Sequence, residues 1–383
     1  MTAKTHQAPC GDGRLASLDA LRGVAALAVV LFHVCIPLGV IAAPNGYLAV
    51  DFFFLLSGYV LAHAYGDRLR TDLPATSFMV LRLERLYPLL LLGVLMGMGV
   101  AAVRYAPLLH GARALEFART AAAELLVLPL GGLSFVQDPP LFVFDAPVWS
   151  LFWELVVNAV YAAIAPRLGA RLLAAVIGIC GCALVAIALS HGSLQTGAGA
   201  ATFGAGAARV GFSFFGGVAL HRALKRPALP RLGLPRPVRL TMGAAAPWLA
   251  GGLLAAVLLS PMPIASRMFD PLAVLVLFPA VLILALQGDL QGPGRRTMLA
   301  VGALSYPVYI LHFPIMQLVL HLVGTPRPTG WALALTIGGE LTTIALVAAL
   351  ALILYDRPVR QALRGAQARA DRRRSPLGRA IAQ

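Results

Sequence analysis

Residues 17–40 read SLDALRGVAALAVVLFHVCIPLGV, and from Gly23 to Val40 the stretch carries no Asp, Glu, Lys or Arg. A hydrocarbon core about 30 Å thick is crossed by about 20 apolar residues in a helix. The stretch therefore predicts a membrane-spanning helix with Asp19 and Arg22 at its mouth and His33 inside. Nine further apolar runs follow, at 46–65, 86–103, 148–165, 172–190, 207–220, 243–260, 271–287, 299–320 and 331–355. The predicted fold class is an all-α, polytopic transmembrane helix bundle of about ten spanning helices. Composition agrees, with 59% hydrophobic and 12% charged residues, whereas soluble domains carry about 45–50% apolar and 25% charged residues.

The chain of 383 residues holds 31 Lys and Arg against 16 Asp and Glu, a formal charge of +15. Such an excess can mark a nucleic-acid binder, so its distribution decides what it means. With ten crossings and the N-terminus inside, 25 basic residues fall on the cytoplasmic side and 5 on the other, as the positive-inside rule requires. An eleventh apolar patch, 115–133, is interrupted by Arg119 and Glu124 and ends in Pro129, Gly131 and Gly132. Counting it as a crossing would move the loop 221–242, with its six basic residues, outside. The expected layout is a cytoplasmic tail (1–16), a transmembrane domain (17–358) and a basic cytoplasmic tail (359–383). Within the domain, 104–147 forms a non-cytoplasmic loop or re-entrant cap. The expected location is the inner (cytoplasmic) membrane, with no cleavable leader and no nucleic-acid partner. The Arg-rich tail suits anionic membrane lipid. Cys10, Cys35, Cys180 and Cys182 form no CxxC pair and no ligand spacing with histidine, so no metal site is expected.

Ionisable groups inside a span are costly and usually face a cavity or a partner. Here they are His33, Asp51, Glu154, Arg209, His312 and Glu340. Arg22 and His33 are 11 residues apart, within about 20° of three full helical turns, so they share one stripe with His33 about 16 Å deeper. Asp19 falls near the same stripe. Counted from the span ends at about 1.5 Å per residue, Asp51, Glu154, Glu340, His33 and His312 reach one outer-half layer. Ser305, Tyr309 and His312 form a second stripe at i, i+4 and i+7. Glu340 has Thr342, Thr343 or Arg209 as structural partners within reach. Ser57 lacks the GxSxG context of a nucleophile elbow and reads as a packing residue. Arg82 and Arg85, at i and i+3, form a paired cation patch suited to phosphate.

These residues resemble the acyltransferase-3 family, whose signature is Arg-x10-His. Six blocks follow in order: residues 17–23 with His33; 50–59 (VDFFFLLSGY); Arg82-x-x-Arg85 with Pro88; 149–154 (WSLFWE) with Tyr161; 305–312 (SYPVYILH); and Tyr355-Asp356-Arg357-Pro358. Asp356 stands where the family more often has Glu. The resemblance implies transfer of an acyl group, usually acetyl, from cytoplasmic acyl-CoA to a hydroxyl of an exported glycan or lipid-linked saccharide. It implies His33, Asp19 and Glu154 as the catalytic group, with His33 as general base or transient acyl carrier. Arg22, Arg82 and Arg85 would bind acyl-CoA. Asp51, Trp149, Ser150, Tyr309 and His312 would be acceptor or second polar contacts. Acetyl-CoA would be a donor substrate with no bound cofactor, and membrane lipid and other glycan-assembly proteins would be partners. No extra esterase-like domain of the kind some relatives carry is expected.

A reading of another class, a proton-coupled transporter or flippase for a lipid-linked saccharide, explains the intramembrane carboxylates equally well. It leaves the paired arginines and the stripe from Arg22 to His33 without a purpose. A membrane scaffold leaves every buried charge unexplained.

Overall fold

The computed structural model describes residues 13–136, 139–225, 236–262, 264–288, 290, 292 and 294–374. Residues 1–12 of the N-terminal tail, 226–235 of the basic loop and 375–383 of the C-terminal tail lie outside the described residues. All described regular elements are helical. In order they are α1 (Gly13–Cys35), α2 (Ala49–Tyr65), α3 (Arg68–Thr71), α4 (Ala75–Arg104), α5 (Ala112–Leu125), α6 (Val148–Ile164) and α7 (Ala170–His191). There follow α8 (Ala205–Lys225), α9 (Arg236–Leu259), α10 (Ser266–Leu272), α11 (Phe278–Ala285), α12 (Gly294–Val323), α13 (Gly330–Leu350) and α14 (Arg357–Arg374). A π-helical turn joins α10 to α11, and another joins α13 to α14.

Each of the ten apolar runs forms helix. Among the described residues, seven helical stretches are long and apolar enough to cross a membrane, while α6 and residues 245–259 of α9 are apolar but shorter. The chain is a multi-pass membrane protein. The patch at 115–133 does not form an eleventh such helix: α5 has 14 residues and is about 21 Å long, short of the hydrocarbon core.

Two helix pairs set the frame, α1 against α12 and α2 against α8. Their backbones approach so closely that side chains are excluded. A Cβ on Gly302 of α12 would lie 2.4 Å from the carbonyl oxygen of Asp19 in α1. One on Gly58 of α2 would lie 1.9 Å from that of Phe214, and one on Gly217 of α8 would lie 2.1 Å from that of Leu55. Without a hydrophobic driving force between helices in lipid, such small-residue contacts provide the van der Waals attraction that holds them together. By contrast, only 22% of the apolar window of α7 is buried, so this helix presents most of its surface outward.

The segment after α5 turns back into the bundle. Glu124 anchors it, its carboxylate accepting the backbone N–H groups of Phe144 at 3.1 Å and Asp145 at 2.7 Å. Phe144 then lies on Gly97 of α4, and Asp145 on Gly93. Gly93 is about 16 Å along the helix from Arg104, so the chain is already deep in the bundle where α6 begins.

Candidate active site

Two cavities adjoin inside the bundle. The first, of about 50 Å³, is lined by Arg22, Ser57, Ser150, Glu154, Ser305, Tyr306 and others. The second, of about 210 Å³, is lined by His33, Tyr47, Trp149, Thr196, Thr202, Arg209 and others. Val50 and Tyr309 line both and form the partition between them. Tyr309 is fixed there by a 2.7 Å hydrogen bond between its hydroxyl and Ser150, whose Oγ also reaches Pro147 O at 2.9 Å.

Arg22 lines the first cavity, and Arg82 is tied to it through Glu154. Arg82 Nη2 donates to Glu154 Oε1 at 3.0 Å, and Ser57 Oγ donates to the same oxygen at 2.9 Å. The Nε of Arg82 is buried without a partner among the described residues. Arg85, on the exposed side of α4, and Arg82 both lie close enough to Arg22 to repel it, while Asp19 and Glu154 attract it. Three guanidinium groups share two carboxylates. Such a cluster is suited to an incoming anion, since charge-assisted bonds from arginine are strong and directional.

His33 lines the second cavity and pairs with His312, a contact that the separate helices did not reveal. His312 Nε2 lies 3.1 Å from His33 Nδ1, and the ring centroids are 5.1 Å apart. His312 Nδ1 faces two carbonyl oxygens, Tyr309 O at 2.7 Å and Val308 O at 3.2 Å. Carbonyls only accept, so His312 Nδ1 carries the proton and its Nε2 is the acceptor in the neutral ring. His33 Nδ1 faces that acceptor and Val29 O at 3.0 Å, so it also carries a proton. The chain of donors leaves His33 Nε2 as the unprotonated nitrogen, without a partner among the described residues, on a ring that lines the cavity. That is the tautomer a base or nucleophile requires.

Facing it is an ion pair. Arg209 Nη2 and Nε donate to the Asp51 carboxylate, the shortest bond being 2.6 Å, and both side chains are almost fully buried. Arg209 also donates to Thr196 O at 2.6 Å and Tyr47 O at 3.0 Å. Its guanidinium lies 5.2 Å from the Trp149 ring centroid, a cation–π arrangement. Opposite charge and saturated hydrogen bonding offset the desolvation cost of burying both groups.

The expected residues thus separate into two groups. Arg22 and Glu154 line the first cavity, with Arg82, Arg85 and Asp19 close around them. His33 and Trp149 line the second, with His312 bonded to His33 and Asp51 bonded to the lining Arg209. Ser150 and Tyr309 stand at the boundary. Glu154 does not join the histidine layer that depth counting assigned to it, because α6 starts inside the bundle and not at the membrane surface. Asp19 lies 14 residues before His33, about 21 Å away along the helix, so it meets Arg22 and not the imidazole. Arg209, one of three partners within reach of Glu340, is taken by Asp51. Glu340 is buried, and neither carboxylate oxygen has a partner among the described residues.

Sequence reading gave no role to the carboxyl pair Glu124 and Asp145, which packs behind the first cavity. Burial pushes the Glu124 carboxyl up to about 7, and burial together with Glu124 raises that of Asp145 well above the usual carboxylate range. The folded pair keeps protons that an unfolded chain releases near pH 4. Stability is therefore full below that range and falls as pH rises toward about 7. Thermal unfolding of the purified protein is expected to show a falling midpoint from about pH 5 to 7, with a shallower slope for Asp145→Asn. A midpoint that rises over this interval contradicts the assignment.

The sequence pattern of the acyltransferase-3 family, described as an acyltransferase domain, matches residues 15–355. A curated relative from Rhizobium radiobacter, named Protein 2 in picA locus, is 41% identical over 167 residues, covering 41% of this chain and 84% of the relative. No solved structure matches the chain.

Proposed function

The chain belongs to the acyltransferase-3 family, and from that premise we propose that it moves an acyl group, most simply acetyl, from cytoplasmic acyl-CoA to a hydroxyl of an exported or lipid-linked glycan. The observation that carries this reading is the pair of adjoining cavities, with Arg22 lining one, close to Arg82 and Arg85, and His33 lining the other.

Arg22, Arg82 and Arg85 bind the donor's phosphates, and the unpartnered Nε of Arg82 supplies one donor. The thioester extends past Glu154 and Ser57 to the partition at Tyr309. The acceptor occupies the second cavity, its ring against Trp149 and its hydroxyl against His33. His33 Nε2 takes the hydroxyl proton as the oxygen attacks the thioester carbonyl. The C–O bond forms, the C–S bond breaks, and the departing thiolate collects the proton from the imidazolium. His312, hydrogen-bonded to Nδ1, holds the ring in the tautomer this step needs. The Arg209 guanidinium, in the same cavity, is a preorganised positive charge for the developing oxyanion.

The test is transfer of label from acetyl-CoA to glycan in membranes that contain the chain and in membranes that lack it. Arg85→Ala, an exposed position, is expected to raise the KM for the donor about tenfold with little change in kcat, the effect of losing one charge-assisted contact. Equal labelling in both membranes rejects the function, and an unchanged KM removes Arg85 from the donor site.

Orientation follows from the same reading. In a cysteine-replaced background, Lys225→Cys is expected to resist a membrane-impermeant maleimide added outside intact cells, whereas Arg327→Cys is labelled. The reverse pattern inverts the bundle.

A further inference from the structure

A third cavity shares no lining residue with the other two. It has a volume of about 640 Å³ and lies where the ends of α2, α6 and α8 meet α3 and the start of α7. Its walls are of two kinds. Leu168, Leu173, Ala174, Ile177 and Ala219 are apolar, whereas Arg70, Arg222 and Lys225 bring positive charge against a single carboxylate, Asp67. Lys225 Nζ engages that carboxylate at 2.6 Å. Arg70 and Arg222 lie close enough to repel one another. Arg222 is held by one bond to Leu168 O at 2.6 Å, which does nothing to neutralise it.

Two further groups point to an anion in the same space. Tyr161 is 1% exposed and lines the cavity, yet its hydroxyl makes no hydrogen bond among the described residues. The N-terminus of α7, a helix of 22 residues, opens here at Gly169 and Ala170 with no side-chain cap. Its first-turn N–H groups and helix dipole favour negative charge. The apolar wall is formed largely by α7, which is mostly unburied and so borders the bilayer along its length.

We propose that this cavity binds an anionic phospholipid of the leaflet on the basic face. Its phosphate lies between Arg70, Arg222, the Tyr161 hydroxyl and the start of α7, and its acyl chains run along Leu173, Ala174 and Ile177. A soluble phosphate would use the same polar groups and leave the apolar wall uncovered. The site is separate from the donor arginines and does not depend on the acyl-transfer reading.

Native mass spectrometry of the detergent-solubilised full chain tests it, with phosphatidylglycerol and phosphatidylcholine as probes. The wild type is expected to retain phosphatidylglycerol preferentially. Arg70→Ala with Arg222→Gln is expected to lower its retention about twenty-five-fold, at about five-fold for each basic side chain facing an anionic lipid. Tyr161→Phe, which preserves the packing, is expected to lower it several-fold and keeps the test decisive if the double variant fails to fold. Adenosine 3′,5′-bisphosphate at millimolar concentration is expected to leave the lipid in place. Equal retention of phosphatidylcholine, or unchanged retention in folded variants, overturns the proposal. Displacement by the bisphosphate also overturns it and assigns the cavity to a soluble phosphate.

Discussion

His33→Ala is expected to lower acyl transfer by about 10²–10⁴-fold, the range a positioned general base contributes, while the protein stays inserted at its normal level. The separation of the two effects follows from the surroundings of the ring. His33 is half-buried on a cavity wall, and its bonds are to Val29 O and to His312. Truncation enlarges a space already open and leaves no charge behind. Carbonyl oxygens of α12 still satisfy His312 through Nδ1. The measurement is the mass of surface glycans from cells lacking the gene and complemented with either form. Glycans that remain acylated with the alanine variant remove His33 from the reaction.

Asp51→Leu has the opposite character, a large effect on the fold itself. Arg209 is 1% exposed and Asp51 0%, so removing the acid leaves a guanidinium buried with no counter-charge. Breaking one partner of such a pair costs about 3–5 kcal/mol, a large share of the 5–15 kcal/mol that typically separates folded from unfolded domains. The variant is expected to fall sharply in membrane abundance and in thermal midpoint. Adding Arg209→Met removes the stranded charge and is expected to restore abundance without restoring transfer, because the second cavity then lacks its cation. If Asp51→Leu accumulates and melts like the wild type, the pair is not what holds α2 to α8 at this level.

The spans were legible because each needs only a local run of apolar residues, and each of the ten runs forms helix. The common stripe of Arg22 and His33 was legible for the same reason, being a property of one helix. Relations between helices were not. Arg209 and Asp51 are 158 residues apart, and nothing in either span names the other. The pairing of His33 with His312 depends on how closely α1 and α12 approach, which the contact at Gly302 permits. Glu154 shows why depth could not be counted from a span end. A segment that re-enters the bundle looks like any loop in sequence, and a helix that begins after it starts well inside the bundle. Glu124 and Asp145 were given no role because Glu124 reads as a break in the patch at 115–133 and Asp145 as part of an outer loop.

The thin wall of Val50 and Tyr309 between the two cavities also has an electrical meaning. An enzyme that served both faces of a membrane through an open water-filled passage would leak protons and drain the gradient that powers the cell. On the proposed reading, a phenol ring held by Ser150 stands between the donor and acceptor cavities, and each substrate stays on its own side of it. On that reading only the small acyl fragment has to pass the ring. On that reading the chain is an insulated feedthrough for carbon, which delivers a chemical group across a charged bilayer without an open channel for current.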